Sequence, residues 1–272
     1  MGEPQSLSNR TPAVEPLPLT IYARRYILLR DIHYALHGEP LHPDPAIAGA
    51  YQRDFLEASE LAEKTGVTRL ILTSGLPEGA PGDRTPDFYF FPHIPRILEQ
   101  YQWQWEKRVI PYWKKHGKIA QDHGVRLCIE MVPSDLVFNP ETFLRLREAV
   151  GPVIGVNFDP SHLVWQGIDI VKAIHALGDT IYHVHAKDIQ INPEIARVNG
   201  VLDPRSWNDP QKRSWFFRTI GLGHQEDFWR DFVNALRQVG YDDVISIEHE
   251  DSLLEPVKGL ESAVGLLRMV LQ

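Results

Sequence analysis

The sequence predicts an α/β fold built on a parallel sheet, and three observations carry that expectation. Apolar, β-branched runs alternate with amphipathic helix-like stretches, glycines close those stretches, and four of the runs end on a metal-type side chain. Strands that run the same way share a carboxyl end, the edge where α/β proteins place their chemistry.

Residues 1–30 contain Pro4, Pro12, Pro16 and Pro18 and then the apolar run 20–29, enough for one strand or a short helix. A strand is expected at 32–37, closing on His37. Asp44 before Pro45 offers a capping carboxylate and a proline in the first turn, so a helix is expected over 45–65, with Gly66 as its left-handed cap. A strand at 69–73 and a long helix within 97–123 follow, the latter closed by Gly124. Four strands come next, at 125–130, 153–159, 181–185 and 244–248, and they end on Glu130, Asp159, His185 and Glu248. Helices are expected near 140–150, 169–177, 226–239 and 256–271. Asn139-Pro140 and Glu255-Pro256 mark two of the starts, and Gly151, Gly178 and Gly240 mark helix ends.

Composition narrows the class. The chain has 272 residues, 43% hydrophobic and 24% charged, ample for one sizeable core. A single cysteine, Cys128, excludes an internal disulfide and points to a reducing compartment, hence the expectation of a cytoplasmic protein. Residues 1–9 lack the order of a signal peptide, and no apolar run reaches membrane-spanning length, so no membrane partner is expected. A formal charge of −8 disfavours a general nucleic-acid binder, whose footprint is basic.

Two glutamates, one aspartate and one imidazole on a single rim form a mostly hard-oxygen donor set. Such a set suits Mn²⁺, Mg²⁺ or Co²⁺, with Zn²⁺ admitted on affinity. Side chains two positions earlier share the inward direction, and these are Cys128, Asn157, His183 and Ser246. A barrel interior is usually aliphatic. A polar layer beneath a rim is what a shell of hydrogen-bond partners requires.

These residues sit in a set of motifs that resembles a known group. His37-Gly38-Glu39-Pro40, Ile129-Glu130-Met131-Val132-Pro133, Asn157-Phe158-Asp159-Pro160-Ser161-His162, His183-Val184-His185-Ala186-Lys187-Asp188, Gly221-Leu222-Gly223-His224 and Ser246-Ile247-Glu248-His249-Glu250-Asp251 occur in this order. The chain is similar to the sugar phosphate isomerase/epimerase family, the xylose isomerase-like TIM barrels. The resemblance implies a (β/α) barrel with one divalent cation, Mn²⁺ foremost, held by Glu130, Asp159, His185 and Glu248. It implies that Glu130 and Glu248 are the acid/base pair. The reaction it implies is isomerisation or epimerisation of a sugar or polyol through an enediolate. A lyase or dehydratase acting on a keto-sugar, keto-glycoside or inosose is the alternative.

His162 resembles the substrate-binding histidine of the sugar epimerases, although the same spacing ligates a second metal in the endonuclease IV branch. Lys187 could reach a substrate oxygen or stand solvated at a loop start. His37, with His33 and His42 nearby, is read as a further substrate contact. Long connections at 76–95 and 190–221 are rich in aromatics and are expected to cover the site. Arg205, Arg213 and Arg218 in the second suggest an anionic group, yet no glycine-rich phosphate cradle accompanies them, so a free or oxidised sugar is preferred.

The chain departs from the family at its beginning. Counting from residue 32, strands three to eight of the barrel are recognisable, and at roughly 30 residues per unit the first two units need about 60 residues. Only about half of that precedes residue 32. The expected organisation is therefore an irregular segment over 1–30 and a barrel domain over 31–272, incomplete at its amino-terminal side. Open edges would fall on strands three and eight, to be filled by the amino-terminal segment or by another chain, in a homo-oligomer or with a partner subunit, unless the sequence is a truncated gene product. A non-catalytic partner subunit is the alternative of another class.

Overall fold

The computed structural model describes residues 21–23, 39–89 and 91–272. His33, His37, the strand expected at 32–37 and the domain boundary expected at residue 31 lie outside the described residues.

Six strands form one all-parallel sheet. They are β1 (Ile21–Ala23), β2 (Arg69–Thr73), β3 (Arg126–Glu130), β4 (Ile154–Phe158), β5 (Ile181–Ala186) and β8 (Ile245–Ile247), in the spatial order β1-β8-β5-β4-β3-β2. The sheet curls into an incomplete barrel, as expected. The edge of the last strand, expected to be open, is covered: Ile21, Tyr22 and Ala23 pair in parallel with Ile245, Ser246 and Ile247. A three-residue strand from the proline-rich beginning thus occupies the slot that a complete barrel gives to its first strand.

The helices follow the local chemistry. In α1 (Pro45–Thr65) the Asp44 carboxylate accepts from Ala46 N at 2.8 Å, and Gly66 at φ 74° returns its N–H to Ala62 O. His42, read as a neighbour of the site, accepts from Asp44 N at 2.9 Å and belongs to this helix entrance. The long helix expected between 97 and 123 is continuous in path. It runs through α2 (Pro95–Trp103), a π turn over Gln104–Val109 and α3 (Ile110–Asp122). Pro111 has no N–H for the carbonyl four residues back, and the π turn directly before it absorbs that mismatch. The same turn buries Gln104, whose amide donates to the carbonyls of Pro77, Glu78 and Asp87 at 3.2, 3.2 and 2.7 Å. The connection after β2 is therefore pinned to the helix beside it.

α4 (Pro140–Val150) begins with a reciprocal cap between Asn139 and Thr142. α6 (Ile170–Leu177), α8 (Glu226–Gln238) and α9 (Pro256–Val270) complete the outer layer, after the one-turn α5 (Ser161–Val164). One core runs between sheet and helices, with Trp105, Trp113, Trp229, Phe143, Phe158 and Phe232 fully buried. At Gly155 on β4 an added Cβ would lie 1.9 Å from the Tyr182 ring, so a hydrogen is the only side chain that fits.

The connection 190–221, expected as a covering loop, has structure of its own. β6 (Asp188–Ile191) and β7 (Trp215–Arg218) pair antiparallel, with α7 (Pro193–Asn199) between them. Trp165, Ile189 and Trp215 form a small second core under this hairpin. A carboxylate secures its exit: buried Asp188 accepts from the backbone N–H of Gly221, Gly223 and His224 at 3.0, 3.0 and 2.9 Å.

Candidate functional site

Parallel pairing brings the strand ends to one rim. Glu130 closes β3, Asp159 follows β4, His185 is the penultimate residue of β5, and Glu248 follows β8. One ligand atom from each of these four residues lies within 4.8 Å of the others. Glu130 Oε2 is 3.2 Å from His185 Nδ1, which is 3.0 Å from Glu248 Oε2. All four residues are buried.

The layer below is polar and buried, with bonds both to the rim and within itself. In register Glu130 stands opposite Asn157, whose amide donates to Glu130 Oε2 at 2.5 Å and lies 3.1 Å from His185 Nδ1. A register shift between Val156 and Asn157 sets Asn157 against His183. His183 Nε2 lies 3.0 Å from Ser246 Oγ. Cys128 is fully buried in the same stretch of β3.

His162 and Lys187 join the cluster, whereas His37 lies outside the described residues. His162, on α5, places Nε2 3.0 Å from Glu130 Oε1 and 3.7 Å from Asp159 Oδ2. Lys187 is not a solvated loop lysine: it is 2% exposed, with Nζ 2.9 Å from Glu248, 3.0 Å from Asp159 and 3.0 Å from Glu250. Glu250 is a participant the sequence reading passed over. It lies two positions beyond Glu248, past the end of β8, where no strand period points to it. Phe217, in the aromatic connection expected to cover the site, reaches it: its ring lies under the Lys187 ammonium at 4.6 Å and meets the His162 ring edge-on at 5.5 Å.

Charges in this dry space tune one another. Burial pushes the Glu130 carboxyl up, but hydrogen bonds from His162 and His185 outweigh it and hold the group well below the usual range. Burial pulls the His185 imidazole down, and the Glu248 and Glu130 carboxylates reverse this, raising it to about 10. Burial raises the Asp159 carboxyl, with Lys187 opposing and the neighbouring glutamates reinforcing. Three clustered carboxylates with an imidazole are a donor set that fits a hard divalent cation, and no other four described residues make such a group.

The arginines read as a sign of an anionic ligand are engaged within the protein. Arg205 pairs with Asp203 at 2.6 Å, Arg218 with Asp251 at 3.0 Å, and Arg213 bonds the carbonyls of Arg205, Asp203 and Trp215. The rim opens into a cavity of about 1630 Å³ lined by both expected connections, through Leu76 and Pro86 on one side and residues 201–217 on the other. Among the described residues no helix is long and apolar enough to cross a membrane.

Comparison with known proteins places this architecture. The chain is 40% identical over 238 residues to the uncharacterized protein YfiH of Bacillus subtilis, a match covering 86% of this chain and 75% of that protein. It is 26% identical over 115 residues to an inosose dehydratase of Geobacillus kaustophilus, covering 42% of this chain and 33% of that one. Among solved structures, the IOLI protein with a binding zinc atom superposes with a TM-score of 0.59 at 18% identity, over 86% of this chain and 73% of that chain. D-Psicose 3-epimerase with D-tagatose from Clostridium cellulolyticum superposes with a TM-score of 0.54 at 16% identity, over 88% of this chain and 76% of that chain. Against several other isomerase-like and epimerase structures the chain spans only 63% to 64% of their length. The sequence pattern of the xylose isomerase-like TIM barrels matches residues 24–269, and the chain belongs to that family.

Proposed function

We propose that the protein is a divalent-metal-dependent sugar isomerase or epimerase that works through an enediolate. One observation supports this above the others: the convergence of Glu130, Asp159, His185 and Glu248 within 4.8 Å at the mouth of the sheet. The zinc-bound and epimerase structures that share the fold are consistent with it.

A hydrogen on carbon beside a carbonyl is too weakly acidic for a carboxylate unless the charge growing on oxygen is stabilised. A cation held by Glu130, Asp159, His185 and Glu248 would supply that stabilisation as a Lewis acid and template. Within this reading one of the pair Glu130 and Glu248, ionised, takes a proton from one face of the sugar, and the other, protonated, gives one from the opposite face. His162, hydrogen-bonded to Glu130, and Lys187, bonded to Glu248, contact substrate oxygens and keep both carboxyl groups aimed. Asn157 fixes Glu130 from below. Return of the proton to the same carbon inverts it; return to the neighbouring carbon moves the carbonyl.

The likeness to an inosose dehydratase supports a second reading, in which the same proton abstraction expels a β-substituent. A solvent-deuterium exchange screen over ketoses, keto-glycosides and inososes separates them. Exchange at carbon with epimer or isomer formation supports the first, and exchange with loss of the β-group supports the second. Absence of exchange from every keto-sugar in the presence of Mn²⁺ refutes both.

A further inference from the structure

The wall of the cavity beyond Lys187 is built from rings. The Lys187 ammonium lies on Phe217, Phe217 stacks on Trp207 at 5.4 Å and 12°, and the Arg213 guanidinium lies over the Trp207 ring at 4.0 Å. The ladder therefore starts at the carboxylate cluster and leads outward along the same cavity.

Its support is rigid. The Asp203 side chain, 1% exposed, accepts from Ser214 N at 2.5 Å and pairs with Arg205, while Arg213, 2% exposed, bridges three backbone carbonyls. Yet the apolar groups carried by this framework face solvent: Leu202 is 58% exposed and Trp207 is 50% exposed, and both line the cavity. Holding apolar surface in water is unfavourable, and patches of this kind mark contact sites.

We propose that Leu202 and Trp207 form a subsite for an apolar aglycone, so that the substrate is a keto-glycoside rather than a free ketose. This rests on the enediolate reading of the cluster. The sugar ring lies against His162 and Lys187, and the aglycone packs against Leu202 and the exposed part of Trp207. A second copy of the chain is the competing occupant; continuity of the wall with the buried carboxylates favours a ligand that spans both.

The test measures binding and exchange separately on the full chain with Mn²⁺. Calorimetric titration with phenyl and methyl β-D-glucosides should show about tenfold tighter binding of the phenyl compound. That ratio should fall toward one in Trp207→Ala, and also in the exposed-site variant Leu202→Ser. Equal affinities in the unaltered protein, no phenyl glucoside binding at millimolar concentration, or a ratio unmoved by both variants would each overturn the subsite. So would a change of sedimentation in Trp207→Ala without a change of ratio, which would mark a subunit contact. Deuterium exchange into phenyl and methyl 3-keto-glucosides gives the second arm, with the phenyl compound favoured in kcat/KM. A binding ratio that behaves as expected with no exchange from any keto-sugar would sink the enediolate reading while leaving the subsite standing.

Discussion

The rim and the hairpin wall meet at Lys187 but are built on opposite principles. On the rim, Glu130, Asp159, His185 and Glu248 are buried groups whose charges are balanced by His185 and by Lys187 beside them. On the wall, Trp207 and Phe217 hold each other by ring contacts, and the charges there, Asp203, Arg205 and Arg213, serve the backbone. The difference teaches where perturbation travels. A charge removed from the rim unbalances the whole cluster, whereas a ring removed from the wall alters one surface.

The largest expected effect comes from breaking the rim. Glu248→Gln keeps the shape but removes a base and a charge, and exchange of substrate hydrogen should fall by about 10²–10⁴-fold, read by proton NMR in deuterated buffer. Unchanged exchange would remove Glu248 from the chemistry.

Tryptophans sharpen the contrast in stability. Trp113 is fully buried and donates to Ser74 O at 3.1 Å, so Trp113→Ala should cost about 3–5 kcal/mol in urea unfolding. Trp207→Ala should cost only about 1 kcal/mol, the scale of one stacked pair. Equal losses would mean that the wall is part of the core.

Asn157→Leu probes the layer beneath the rim. Without the amide that donates to Glu130, Mn²⁺ affinity should drop about 10–100-fold by calorimetry with the fold retained. An unchanged affinity would assign Asn157 to packing alone.

A smaller effect belongs to a buried histidine remote from both regions. Burial lowers the His116 imidazole to about 4, against an ordinary value near 6.5. Its folded pKa lies below its unfolded one, so its contribution is present above about 6.5 and is lost as pH falls toward 4. Between pH 7 and pH 5 the loss should be about 2 kcal/mol. In His116→Gln this extra slope of urea stability against pH should vanish.

Much of the barrel was legible because its signals repeat. The helix 45–65, the strand 69–73 and the helix 140–150 were expected with the bounds observed, since proline at the start and glycine at the end leave little room for drift. The four rim residues were legible because a strand's last inward position is fixed by its period. Glu250 lies beyond the end of β8, where that period no longer applies. The hairpin β6–β7 was not legible, because its strands of four residues are separated by more than twenty others and paired through tertiary contact. Nor was the fate of Arg205 and Arg213, whose partners are carbonyls and a carboxylate brought near only by that hairpin. The strand at Ile21–Ala23 was read as one option among two, and its place beside the last strand is set by the sheet's unpaired edge.

The central claim is that four strand ends together hold a single cation. Metal analysis of the full chain after equilibration with Mn²⁺ and desalting tests it most directly. The account predicts about one ion per chain in the unaltered protein and almost none in Asp159→Ala. No retained ion in the first, or an equal amount in the second, would contradict it.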